Sequence, residues 1–157
     1  MLDNREHSIG RWVSILYRYG QSYVSKKLEH YNIGSGQHVI LLTLFRNDGI
    51  SQEELSDYLK IHKGSIAKAI KKLEDEGYVE RSIDSDDKRA YKVFLTQKAL
   101  DIIPKVQEAI RSWEDIIASD LSDSEKRIIE QSLHEMARKA YKIKAIDEEN
   151  VNEENRL

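Results

Sequence analysis

The sequence predicts a mainly α-helical chain interrupted by a single two-stranded β-hairpin. Three observations predict it. Apolar residues recur at three- and four-residue steps over most of the 157 residues, and two Ser-x-x-Glu boxes mark helix starts. Only between Tyr78 and Leu95 does the spacing change to alternation, the period of a strand. One proline and seven glycines leave no flexible linker, so one domain, or one domain with an appended helical subdomain, is expected.

Each element has its own local justification. Ile9, Trp12, Val13, Leu16, Tyr19, Tyr23, Val24 and Leu28 form one broad apolar stripe, a first helix that stops at Asn32 to Gly36. Ser35 is a candidate N-cap for a second helix, Gln37 to Arg46, which is apolar nearly all round and therefore buried. Asn47-Asp48-Gly49 is a turn. Ser51-Gln52-Glu53-Glu54 is a capping box that starts a short helix carrying Leu55, Tyr58 and Leu59. Ile61 to Gly64 breaks it, and a further helix runs to Glu76 with Ile66, Ala69, Ile70 and Leu73 on one face. Gly77 stops that helix. Tyr78, Val79 and Ile83, a charged tip at Asp84 to Arg89, then Tyr91, Val93 and Leu95 read as the hairpin.

Thr96 is placed to cap a long helix to about Ser119, with Ala99, Ile103, Val106, Ile110, Trp113 and Ile117 on one side. Pro104 should kink it or set a boundary in its first turns. Ser122 to Glu125 opens a last helix with Ile129, Leu133, Met136, Ala140 and Ile143 inward.

Two short helices joined by a tight turn make helix-turn-helix geometry, and a hairpin directly after the second is a wing. The fold class is therefore mainly α with a two-stranded β-hairpin wing: a winged helix-turn-helix plus a terminal-helix dimerisation domain. Residues 33–96 form the winged lobe, and residues 1–32 and 97–146 the helical dimerisation region. Trp12, Val13, Val24, Trp113, Ile117, Leu133 and Met136 exceed what so small a lobe can bury. Homodimerisation through residues 9–28, 99–118 and 125–143 meets that surplus.

The net charge of −3 hides its distribution. Residues 147–157 hold five acids and one Arg, and are expected to be a disordered acidic tail. Lys60 to Lys72 holds five lysines and no acid, a local charge suited to a polyanion, or, more plainly, a solvated face. His62, Lys63, Ser65, Lys68 and Lys72 lie opposite the apolar face of that helix. No cysteine is present, which excludes disulfides, thiolate metal sites and thiol redox sensing. Mean hydropathy is −0.64, and the most apolar stretch, Val39 to Phe45, is too short for a bilayer. With no apolar signal core after Met1, a cytoplasmic protein with no membrane partner is expected.

The segment Ile50 to Thr96 resembles the MarR (multiple antibiotic resistance regulator) family of winged helix-turn-helix transcription factors. The resemblance rests on Ser51-Gln-Glu-Glu-Leu, Ile61-His-Lys-Gly-Ser-Ile-Ala-Lys, Leu73-Glu-Asp-Glu-Gly-Tyr-Val-Glu-Arg, and above all Asp84-x-x-Asp87-x-Arg89 followed by Leu95-Thr96. Gly64 and Ala99 depart from the family's usual residues. The resemblance implies that Ser65 and Lys68 reach base edges in the major groove, with Lys63 and Lys72 nearer phosphates. It also implies that Arg89 of the wing, beside Lys88, enters the minor groove, oriented by Asp87. An ordinary surface ion pair is the plain alternative for Arg89.

The family's ligands suggest a small aromatic anion near Trp12, Arg18, Tyr19 and His38. Packing of the aromatics at a dimer interface explains the same residues without one. Five scattered histidines, with Glu130 and His134 the one histidine–carboxylate pair a turn apart within an expected helix, give no metal site. Gly34-Ser35-Gly36 lacks the Lys and Ser/Thr of a phosphate loop, and no nucleophile, acid and base set converges, so no cofactor and no enzyme activity are expected. The expected function is a sequence-specific, double-stranded DNA-binding transcription regulator. It would repress as a homodimer on a pseudo-palindromic operator, with possible release by the aromatic ligand. The alternative is a winged-helix protein-interaction module without DNA binding.

Overall fold

The computed structural model describes residues 8–83 and 91–154, with side chains described as far as residue 143. The elements run α1 (Ile9–Lys27), a 3-10 turn (Glu29–Tyr31), α2 (Gln37–Arg46), β1 (Ile50–Ser51), α3 (Gln52–Leu59), α4 (Lys63–Asp75), β2 (Val79–Ile83), β3 (Tyr91–Leu95), α5 (Gln97–Ile117) and α6 (Asp123–Glu154). Two compact units are present, one ending at Glu114 and one beginning at Asp115.

In the first unit, one core takes residues from every long element. Val24 and Leu28 of α1, Ile40, Leu41 and Leu44 of α2, Leu55 of α3, and Ile66, Ile70 and Leu73 of α4 are all buried, with Val93, Ala99, Ile103 and Val106. The predicted apolar face of α4 is thus the observed one. Val24 corrects the expectation for α1. It is 3% exposed and belongs to this core, while Ile9, Trp12, Val13 and Leu16 stay exposed. The reason is position along the helix: Val24 lies within about 20° of Val13, but only the C-terminal half of α1, at Gly20 and Val24, carries buried residues. The core also runs past the expected lobe boundary at 33–96, because Ala99, Ile102, Ile103, Val106 and Ala109 of α5 close it.

The sheet has three antiparallel strands in the order β1-β3-β2, not two. Ile50 pairs with Val93, and Val79 to Ile83 run against Leu95 to Tyr91. A two-residue strand has no period to read, so it is invisible in the sequence. The wing tip, including the predicted Asp87, Lys88 and Arg89, lies outside the described residues.

Helix ends follow local chemistry. Ser51 accepts from the Glu54 N–H at 3.1 Å while the Glu54 carboxylate accepts from the Ser51 N–H at 2.7 Å, the predicted capping box. The second box, at Ser122 and Glu125, is also made. Ser35 does not cap α2. Gly36 does, at φ 79°, and the Ser35 hydroxyl instead donates to Gln21 Oε1 at 3.2 Å. Gly77, at φ 74°, ends α4 in a Schellman turn: its N–H donates to Glu74 O and the Tyr78 N–H to Leu73 O. α5 continues through Pro104 as one helix.

The second unit is the end of α5 and the 32-residue α6. Ile128, Ile129, Leu133, Met136 and Ile143 are exposed along it, so the predicted apolar stripe finds no core within its own unit. The helix continues to Glu154, past the expected end at 146, since neither Gly nor Pro interrupts residues 147–154.

Candidate nucleic-acid interface

The turn between α3 and α4 is built from three local contacts. Lys60 closes α3 in the left-handed region at φ 54°. The Ser56 hydroxyl donates to Ile61 O at 2.6 Å, and the Ile61 N–H donates back to Ser56 O at 3.2 Å. His62 then starts α4. With Ile66, Ile70 and Leu73 buried, Ser65, Lys68 and Lys72 face outward on the other side of α4, whereas His62 and Lys63, expected on that side too, are exposed because they lie at the helix's N-terminal end.

The five lysines are not equivalent. Lys63 is paired with Glu53 of α3, and Lys71 with Asp75 at 2.6 Å. Each neighbouring carboxylate raises the pKa of its ammonium, by hydrogen bond first and charge second. The acid-free segment of the sequence is therefore partly neutralised by acids that folding brings in from outside it. Such exposed pairs are weakened by solvent screening, so a phosphate can displace the carboxylate. The side chains of Ser65 and Lys68 hold no hydrogen bond or ion pair among the described residues. Lys72 sits at the edge of a broad cleft beside Asp75 and Glu76.

The C-terminal end of α4 is clamped. Asn32 Nδ2 donates to Glu76 Oε2 at 3.1 Å, Lys98 Nζ to Glu76 O at 2.6 Å, and Thr96 Oγ1 to Gly77 O at 2.7 Å. The Tyr78 hydroxyl donates to Tyr31 O at 2.7 Å, and the Lys98 ammonium lies 4.4 Å from the Tyr78 ring centre. At the wing's base, Arg81 of β2 forms two hydrogen bonds with Glu74 of α4, one from Nε at 3.0 Å. That guanidinium holds the Glu74 carboxyl below its ordinary pKa. Sequence reasoning read Thr96 as a cap and Gly77 as a helix stop but missed the bonds that join them into this frame.

The four residues expected to hold a ligand are not brought together. Trp12 and Tyr19 are exposed on α1, and the Arg18 guanidinium donates to Ser14 Oγ at 2.6 Å. His38 alone lines a cavity of about 380 Å³, with Tyr17, Arg46, Tyr58 and Trp113. Gly20 forms part of its wall, and a Cβ there would meet the Trp113 indole at 2.8 Å, so only glycine permits this approach of α1 to α5. His38 is 5% exposed, its Nδ1 has no hydrogen-bond partner among the described residues, and burial lowers its pKa. Arg46 was not singled out from the sequence, and Trp113 was read only as apolar surplus for a dimer, because helical spacing cannot show which faces of α1, α2 and α5 meet.

A two-helix unit with an exposed polar face, framed by a wing, defines a winged helix-turn-helix DNA-binding transcription regulator. Residues 33–91 match the MarR family. A MarR transcriptional regulator from Methanosarcina mazei Go1 is 50% identical at a TM-score of 0.82, covering 86% of this chain and 97% of that one. On this evidence the chain belongs to the MarR family, which consists of transcriptional regulators rather than enzymes. The HTH-type transcriptional regulator YybA of Bacillus subtilis is 27% identical over 82% of this chain and 85% of its own. A MarR-family regulator from Listeria monocytogenes, complexed with a 26-mer DNA, shares the fold at 23% identity and a TM-score of 0.79, covering 84% of this chain and 88% of its own. No helix among the described residues is long and apolar enough to cross a membrane.

Proposed function

We propose that the chain represses transcription as a homodimer on a pseudo-palindromic duplex operator and that a small aromatic anion releases it. The observation that carries this reading is the uncommitted Ser65 and Lys68 face of α4, held at its far end by the clamp and at its side by the wing's base. Ser65 and Lys68 read base edges, Lys63 and Lys72 approach phosphates, and Arg89, with Lys88 beside it and Asp87 orienting it, takes the minor groove. The DNA held by the Listeria relative supports a duplex as the partner.

The dimer is supported by apolar surface left over in both units, Trp12, Val13 and Leu16 in one and Ile129, Leu133 and Met136 in the other. The ligand reading is supported by the cavity at His38, where Arg46 offers a cation and Trp113 and Tyr58 offer aromatic faces. A regulator of transcription works where the DNA is, which supports a cytoplasmic location. Gel shift on the DNA upstream of its own gene tests the whole reading. Two chains per bound duplex, released by an aromatic acid from a panel, is the expected result. One chain per duplex, or no retained complex, would contradict it.

A further inference from the structure

His38 of α2 is buried, yet its Nδ1 has no hydrogen-bond partner among the described residues, where a buried polar atom ordinarily finds one. The cavity of about 380 Å³ lies beside it, and each element of the wall contributes a known set of polar groups. From α1, Tyr17 brings a phenol, and the Gln21 side-chain oxygen already accepts from Ser35 and Gly36. From α2, the Thr43 hydroxyl donates to Val39 O at 2.8 Å, and Arg46 brings a guanidinium with no ion pair among the described residues. α3 brings Tyr58, and α5 only Ile110 and Trp113, neither of which titrates. No carboxylate is among the lining residues.

The charge of the wall therefore governs the proton on His38. A second cation, buried in the same wall as Arg46 and without a counter-ion, is costly, so the protein alone keeps this imidazole neutral. Burial acts in the same direction. An anion in the cavity supplies the counter-charge that the lining lacks, and the balance reverses.

We propose that the cavity takes up an aromatic anion together with a proton, and that the proton goes to the His38 imidazole. Anion, proton and neutral imidazole give an imidazolium paired with the anion, so charge balances and no further reactant enters. What the site captures in sum is the undissociated acid, the form that crosses a bilayer without carrying charge. The linkage rests on the ligand reading given above and names the species to which the regulator responds. In the free protein the His38 pKa lies below the ordinary 6.5, and a bound anion raises it. Between those two values, each unit fall in pH should strengthen anion binding by up to about tenfold; outside them affinity should be level.

Benzoate and benzenesulfonate are suitable probes. The sulfonate stays ionised throughout, so its own titration cannot imitate the effect. Calorimetry at about pH 6.5, in two buffers of different ionisation enthalpy, counts the protons taken up per anion. A large fraction of one proton is expected for the wild type and none for His38→Gln, with circular dichroism confirming the variant's fold. NMR titration of the His38 ring in the wild type needs no variant, and its midpoint should move to higher pH when benzoate is bound. Binding without proton uptake, the same uptake in His38→Gln, or a midpoint unmoved by bound benzoate would overturn the linkage and leave the ligand reading standing. Failure of both probes to bind between pH 5.5 and 8 would instead overturn the ligand reading, and the linkage with it.

Discussion

In the proposed DNA interface Lys68 and Arg89 are expected to act differently. Lys68 is exposed and unpaired among the described residues, on the face that the fold leaves outward, so its contribution should be sequence information. Lys68→Ala is expected to cost about 1–3 kcal/mol on the operator and to relax preference at one base pair, measured by competition with single-base variants. Arg89→Ala should weaken all sequences and flatten log K against log[salt], because it removes a charge from the DNA backbone's field. His38 makes a separate prediction. Burial lowers its folded pKa below the ordinary 6.5, so the unfolded chain binds the proton more readily. Its cost is absent above about pH 6.5 and grows as pH falls below it. Melting temperatures at pH 7.5 and 5.5 should therefore differ less in His38→Gln than in the wild type; an equal drop in both would remove His38 as the cause.

At the scale of elements, the clamp fixes the C-terminal end of α4 against its neighbours. Thr96 Oγ1 lies within hydrogen-bond distance of Gly77 O and Tyr78 O, and it accepts from the Ala99 N–H at 3.3 Å, so one hydroxyl ties α4, β2 and α5 together. Thr96→Val, which keeps the shape, is expected to cost about 1–2 kcal/mol by urea denaturation. A change within error would mean that the backbone bonds alone hold this corner. Legibility in the sequence follows from range. The capping boxes at Ser51 and Ser122, the stop at Gly77 and the buried face of α4 were all readable, since each depends on residues three to seven apart. Strand β1, the Lys63–Glu53 pair and the Asn32–Glu76 bond were not. They depend on which elements meet, and periodicity is silent on that. For the same reason the lysine-rich segment read as more positive than the folded surface is.

For the whole molecule, the division of apolar residues between core and surface bears on the proposed dimer. Val24, counted from the sequence as surplus, is spent on the core, whereas Leu133 and Met136 remain exposed on α6. Leu133→Asp should leave the winged lobe folded, with unchanged helical signal, but shift sedimentation towards the monomer and weaken operator binding. A dimer of undiminished affinity would place the interface elsewhere. The central claim, that this chain reads duplex DNA through α4 and the wing as a symmetric pair, is tested most directly by selecting bound sequences from random DNA. The account predicts an enriched pseudo-palindrome with half-sites about one helical turn apart. Enrichment of a single half-site, or of no sequence at all by the folded protein, would contradict it.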